Sequence, residues 1–151
     1  MNQPATPEDA AADLIGRSVW GARKGHGSFL DLQFGPAREA DPKRGAFHLW
    51  IQQCAWRIEH GAELGAGSED SDERIAAALA RLNGRELTAI TLQRPSLSTT
   101  FAFGDSRLIT FETSTDPADD HAEQWLLFRP DDLVLSVGPG SAWQLSPADQ
   151  P

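Results

Sequence analysis

Apolar positions along the chain follow two periods. Ala11, Leu14 and Ile15 fall on one helical face, and a longer run places Ile75, Leu79 and Leu82 at helical intervals. Thr6-Pro7-Glu8-Asp9 has the chemistry of a helix start: a capping hydroxyl, a proline at the first helical position and acids at the positive end of the dipole. Gly16-Arg17 ends that helix. Asp70 and Glu73 have capping-box spacing ahead of the second run, and Asn83-Gly84 stops it. Elsewhere the period drops to two. Residues 18–23, 28–34, 46–53 and 55–59 read as strands in the first half, and 87–93, 97–103, 107–113, 124–129 and 133–137 in the second. Turn chemistry separates them at Lys24-Gly25-His26-Gly27, at Gly104-Asp105-Ser106 and at Pro130-Asp131-Asp132. The small, polar stretch 61–69 reads as a linker, 114–123 as an acidic loop, and 147–151 as a frayed tail.

Laid side by side, the halves correspond. A helix, Gly-Arg and a strand occur at Gly16-Arg17 and again at Gly84-Arg85. A strand ends in Phe-Gly at Phe34-Gly35 and at Phe103-Gly104, and the distance from that Phe to the Trp opening a later strand is 22 residues both times, Phe34 to Trp56 and Phe103 to Trp125. Inward parity agrees as well, with Leu30, Leu32 and Phe34 matching Thr99, Phe101 and Phe103. The pattern predicts an α+β fold in one domain spanning 1–151, an α-β-β-β-β unit written twice over 7–60 and 71–138. Two antiparallel β-meanders would pack around a shared core, with two short helices on the outside or on one face.

Composition limits the partners. Twenty-two Asp and Glu against 13 Lys and Arg give a net charge of −9 and a pI near 4.7, the wrong sign for a nucleic-acid binder. No apolar run reaches the length of a membrane-spanning helix, and the opening MNQPATPEDA lacks the basic and apolar regions of a signal peptide, so the expected location is cytoplasmic, without membrane association. One cysteine, Cys54, excludes an internal disulfide and a multi-cysteine metal site. Five Trp and no Tyr supply large apolar areas for a core or a recognition surface.

The segments GHGSFLDLQFG, FHLWIQQCAWRI, LNGRELTAI, FAFGDSRLITF and EQWLLFRPDD, spread over residues 16–138, resemble an uncharacterised family of small bacterial domains. The resemblance rests on Phe-Gly turns, Trp-opened strands and a capped helix. It implies no assigned activity and carries over no catalytic residue.

Residues able to carry chemistry are scattered. The Lys24-Gly25-His26-Gly27-Ser28 turn could present backbone donors to an anion, but it lacks the Walker pattern and leads into a strand; it equally reads as a hairpin loop. His26, His48 and His60 stand alone; His121 lies beside Asp119, Asp120 and Glu123 in a loop that could hold a divalent cation weakly or be a solvated acidic loop, and no metal or other cofactor is expected. Cys54 reads as a buried small hydrophobe; as a nucleophile it would need His48 or His60 as a base. Asp31, Glu59, Glu63 and Glu112 could pair across strands, yet no spacing selects a pair. Trp56 and Trp125 read as core, Trp143 as an anchor for the C-terminus or a cover for an edge strand, while Trp50 with Phe29 makes an aromatic patch if that sheet face is exposed.

Three readings follow. The first is a small acidic protein-interaction module, for instance of an immunity or toxin-neutralising type, that meets a basic protein partner through Asp116, Asp119, Asp120, Glu123, Asp131, Asp132 and Trp50. The second is a hydrolase-like enzyme with His48, Cys54 and Glu59 at the seam between the halves. The third is a homodimer with a small ligand in a strand-lined cavity.

Overall fold

The structure is a computed structural model and describes residues 4–148. The first helix, α1 (Pro7–Ala11), starts as its sequence dictates: Thr6 Oγ1 accepts the Asp9 N–H at 3.1 Å and Pro7 occupies the first turn. A 3-10 turn, Ala12–Leu14, completes it. Five strands follow: β1 (Val19–Lys24), β2 (Leu30–Ala37), β3 (Gly45–Ile51), β4 (Ala55–His60) and β5 (Glu63–Gly67). Then come α2 (Asp72–Leu82), β6 (Ala89–Leu92), β7 (Thr99–Phe103), β8 (Ser106–Phe111), β9 (Trp125–Phe128), β10 (Leu133–Val137) and β11 (Trp143–Pro147).

Three sequence expectations change in detail. The stretch expected as a linker contains β5, an edge strand whose Ala66 packs inward opposite Ile58. Pro147, placed in a frayed tail, ends β11, which pairs along the whole of β10; residues 149–151 lie outside the described residues. Trp143 opens this strand and covers the β10 edge. The cap of α2 is Ser71, which accepts the Arg74 N–H at 3.2 Å; Asp70 instead accepts the Gly67 N–H at 2.7 Å and closes the turn after β5.

All strands pair antiparallel, in a six-stranded sheet ordered β1-β2-β3-β9-β10-β11 and a five-stranded sheet ordered β5-β4-β8-β7-β6. The chain repeats a unit of five strands, one more than the expected four because β5 extends the first copy past residue 60, and the halves are not separate meanders. Each half places its first three strands in one sheet and sends the next two to the other. β1-β2-β3-β9-β10 is thus the counterpart of β6-β7-β8-β4-β5, and β11 is an addition to the second half.

The two copies meet at a local two-fold. Ser18 and Glu86 form an isolated bridge. Gly16 N–H donates to Leu87 O (2.8 Å) as Gly84 N–H donates to Val19 O (2.7 Å), and Val19 N–H donates to Arg85 O (3.0 Å) as Leu87 N–H donates to Arg17 O (2.9 Å). Exchanging the halves maps this set onto itself. Phe34 and its counterpart Phe103 stack at 6.4 Å. Pro7, Ala10, Ala11 and Leu14 are buried at the positions where the second copy buries Ile75, Ala78, Leu79 and Leu82. α2 lies against edge strands β1 and β5, and α1 against β6 and β10, so the helices close opposite sides of the sandwich.

The core is the space between the sheets. Leu30, Leu32, Phe34, Leu49, Ile51 and Leu127 from one sheet meet Trp56, Ile58, Phe101, Phe103 and Leu108 from the other, all fully buried. Burial of each such side chain stabilises the fold by roughly 1.5–3 kcal/mol. The indole N–H groups are satisfied: Trp125 Nε1 donates to Thr99 Oγ1 (3.0 Å), Trp56 Nε1 to Ser28 O (2.6 Å).

Candidate functional site: the outer face of the six-stranded sheet

Because the fold is duplicated, its two outer sheet faces can be compared position by position. On β4 and β8, Glu59 sits opposite Arg107 and Arg57 opposite Ile109. Glu59 accepts from Arg57 Nε at 2.8 Å and from Arg107, so two guanidiniums share one carboxylate at the centre of this face, with Leu64 and Phe111 exposed beside them. The counterpart positions on β9 and β3 hold Phe128 opposite His48 and Leu126 opposite Trp50. Across the larger sheet these extend into two rows, Asp31-Trp50-Leu126-Ser136 and Gln33-His48-Phe128-Val134. Trp50, Leu126, Phe128 and Val134 are half-buried. Phe29, just ahead of β2, meets Trp50 edge-on at 5.9 Å. Of the two orientations the sequence left open for Trp50, the outward one holds.

His48 points outward yet is 3% exposed, because aromatic rings flank it: Trp50 at 6.4 Å and Phe128 at 5.6 Å, both nearly parallel to the imidazole. Its nitrogens are assigned by their partners. Arg44 Nη1, which can only donate, is 2.9 Å from Nδ1, so Nδ1 accepts and Nε2–H donates to Asp31 Oδ1 at 2.6 Å. Burial pushes the Asp31 carboxyl up, but the hydrogen bond from His48, with Arg23 and Arg44 nearby, outweighs it and holds the group below its ordinary range. Local structure sets this geometry. Gln33 Oε1 accepts the Gly45 N–H at 2.8 Å, and a Cβ at Gly45 would lie 2.5 Å from Phe34 O, so only glycine permits the close pairing that turns Arg44 onto His48.

The acidic candidates divide. Asp119, Asp120 and Glu123 border the start of β9 and line a surface cavity of about 210 Å³ with Trp143, Ser136 and Gln144, the last two on the outer sheet face. Burial, then the charge of Asp120, raises the Glu123 carboxyl above its ordinary range. Asp116 is not part of this lining; its Oδ1 accepts the Ala118 N–H at 2.9 Å and shapes the loop. Asp131 is held by Arg129 at 2.6 Å and accepts the Leu133 N–H, closing the β9–β10 turn. Asp132 follows with φ 62° and reaches the His48 end of the face. The His121 imidazole lies 3.3 Å from exposed Asp120 and its backbone N–H donates to Asp119 Oδ1 at 3.0 Å, and among the described residues no three His, Cys, Asp or Glu side chains converge to hold a metal ion.

His48, Cys54 and Glu59 are not brought together. Glu59 is on the outer face of the smaller sheet, His48 on that of the larger, and Cys54 is buried in the β3–β4 link. The Cys54 thiol donates to Gln124 O at 3.5 Å, and burial pushes its pKa up to about 12, so it stays protonated. His60, the other base considered for it, shares a 2.9 Å hydrogen bond with Ser106 and has its Nε2 buried without a partner among the described residues. The grouping that does exist, Asp31-His48-Arg44, escaped the sequence reading. Its one available signal was parity: Asp31 and His48 both occupy outward positions of adjacent strands.

Among the described residues no helix is long and apolar enough to cross a membrane. Comparison with protein-family models, with curated proteins and with solved structures finds no match for the chain.

Proposed function

We propose that the protein is an acidic interaction module that docks a basic protein on the outer face of its six-stranded sheet. One observation carries the reading: at equivalent positions of a duplicated fold, one face holds the Glu59–Arg107 ion pair and the other the Phe128–His48 stack, extended by Trp50, Leu126, Phe29 and Val134. An apolar aromatic centre with a polar rim is the anatomy of a protein interface, and Trp is prominent among anchor residues. The rim supplies the sign. Asp119, Asp120 and Glu123 border the face, and the chain carries a net charge of −9, which favours encounter with a positively charged partner.

The test is retention of proteins from the native organism's lysate by wild type, Trp50→Ala, the rim variant Asp119→Asn/Asp120→Asn/Glu123→Gln, and Ile109→Ala on the opposite face. A basic protein is expected to be held by wild type and Ile109→Ala and released by salt. Its affinity should fall on the order of thirtyfold with Trp50→Ala, the ~2 kcal/mol of a central anchor. The rim variant should slow association and flatten the salt dependence. Retention that ignores Trp50, or a Trp50-dependent species that sedimentation identifies as a second copy of this chain, would overturn the proposal.

A further inference from the structure

At the β9–β10 end of this face, Arg38, Arg44, His48, Phe128, Arg129 and Asp132 enclose a cavity of about 100 Å³. The three guanidinium groups are not equivalent. Arg129 is bound to Asp131 at 2.6 Å and serves as a wall. Arg38 is fixed by backbone alone, donating to Gly45 O and Ala46 O at 2.9 Å each and to Arg129 O at 3.3 Å, and no carboxylate among the described residues reaches it. Arg44 is half-exposed, 3.4 Å from Asp41, and spends an N–H on His48 Nδ1. In the corresponding hollow on the smaller sheet, Arg57 and Arg107 both pair with Glu59, and Glu63 is paired to Arg81. Among the described residues, only this copy leaves a fixed guanidinium, Arg38, paired to no carboxylate, with Asp132 in the lining of the same cavity.

We propose that this cavity is an oxyanion site that takes a carboxylate or phosphate group on Arg38, Arg44 and His48. Arg38 provides a charge already held in place, and Arg44 a half-exposed fork suited to two oxygens. His48 provides the third contact through a change of proton count. Its Nε2–H is committed to Asp31, so Nδ1 is the nitrogen on the cavity side. An oxyanion that draws Arg44 away would face the Nδ1 lone pair, and the two acceptors repel. One proton taken from solvent makes Nδ1–H a donor to the oxyanion, and the resulting imidazolium keeps Asp31 as its counter-ion. The charged groups that set the balance are Asp31 on β2, Arg23 on β1, Arg38, Asp41 and Arg44 in the β2–β3 connection, and Arg129, Asp131 and Asp132 at the β9–β10 turn. The inference is independent of the docking reading, because it needs a small anion and no protein partner.

The experiment titrates the full chain with inorganic phosphate or with acetate at constant ionic strength. It follows ¹H–¹⁵N shifts and measures heats in two buffers of different ionisation enthalpy. Saturable shifts confined to residues around Arg38, Arg44, His48 and Phe128, with net proton uptake, are expected. Saturation by phosphate alone or by acetate alone identifies the group the site was built for. Arg44→Gln, which leaves the Arg38 backbone bonds intact, should weaken binding at least tenfold, and His48→Gln should abolish proton uptake. Shifts from both anions that never saturate, binding unchanged in Arg44→Gln, or proton uptake that persists in His48→Gln would overturn the assignment.

Discussion

Two carboxyl groups at the outer face of the six-stranded sheet are pushed in opposite directions, and each has a measurable consequence. Asp31 is held below its ordinary value of 3.8 because His48, Arg23 and Arg44 outweigh the effect of burial. A depressed carboxyl contributes stability that is fully present above the unfolded value and lost as pH falls through the folded one. Urea unfolding of wild type should therefore weaken on acidification below about pH 4, with Glu8, hydrogen-bonded and paired to Arg94, adding its own share. Asp31→Asn should be less stable at neutral pH and show a shallower acid limb; an unchanged limb would mean that the His48 pair does not respond to protonation. Glu123 has the reverse sign. Burial and Asp120 raise it above 4.5, so its ionised form costs stability at neutral pH, and that cost disappears as pH falls through the folded value. Glu123→Gln should raise the unfolding midpoint at pH 7, and the two proteins should unfold alike by pH 4. A residue that destabilises the free protein at the edge of an aromatic face is what a contact surface for a cation would retain.

At the scale of elements, what could be read from the chain depended on how strongly local chemistry agreed with tertiary structure. Strands with clean alternation, such as β2 with Leu30, Leu32 and Phe34 inward, and β7 with Thr99, Phe101 and Phe103, carry their own assignment. The same holds for α2, capped at one end by a hydroxyl and stopped at the other by Asn83 and Gly84. β5 does not announce itself, because Glu63-Leu64-Gly65-Ala66-Gly67 lacks β-branched and aromatic residues; a bulge beside Ile58 and the inward packing of Ala66 hold it in the sheet. β11, with only Trp143 and Leu145 as apolar residues and a terminal proline, becomes a strand because β10 offers an edge. The site was legible only in part. Trp50, Phe29 and the acidic loop can be picked out by type, but the Asp31-His48-Arg44 grouping depends on β2–β3 register and on a backbone approach that Gly45 alone allows.

The exchange of strands between the halves makes the whole molecule depend on both copies at once. Periodicity and spacing reveal that a unit is repeated; they cannot reveal which copy a strand pairs with, since β4 offers the same alternation to β3 as to β8. In the folded chain β3 pairs with β9 and β4 with β8, so neither half holds a complete sheet. Trp56 of the first copy and Trp125 of the second each sit in a sheet begun by the other copy. A fragment of residues 1–69 has the three strands β1-β2-β3 and the hairpin β4-β5, each exposing one long edge and an apolar face, and 70–151 has the same difficulty. Neither fragment should give a native near-ultraviolet Trp signal as a monomer. Mixed at equal concentration they should recover it, because every β3–β9 and β4–β8 contact is between fragments and none depends on the peptide bond at the junction. A fragment that folds alone as a monomer would show that a half can close its own sheet. A 1–69 fragment that folds as a symmetric pair would instead show the two-fold at Ser18 and Glu86 being rebuilt from two identical copies, the arrangement from which an exchanged duplication can arise by fusing one chain to another.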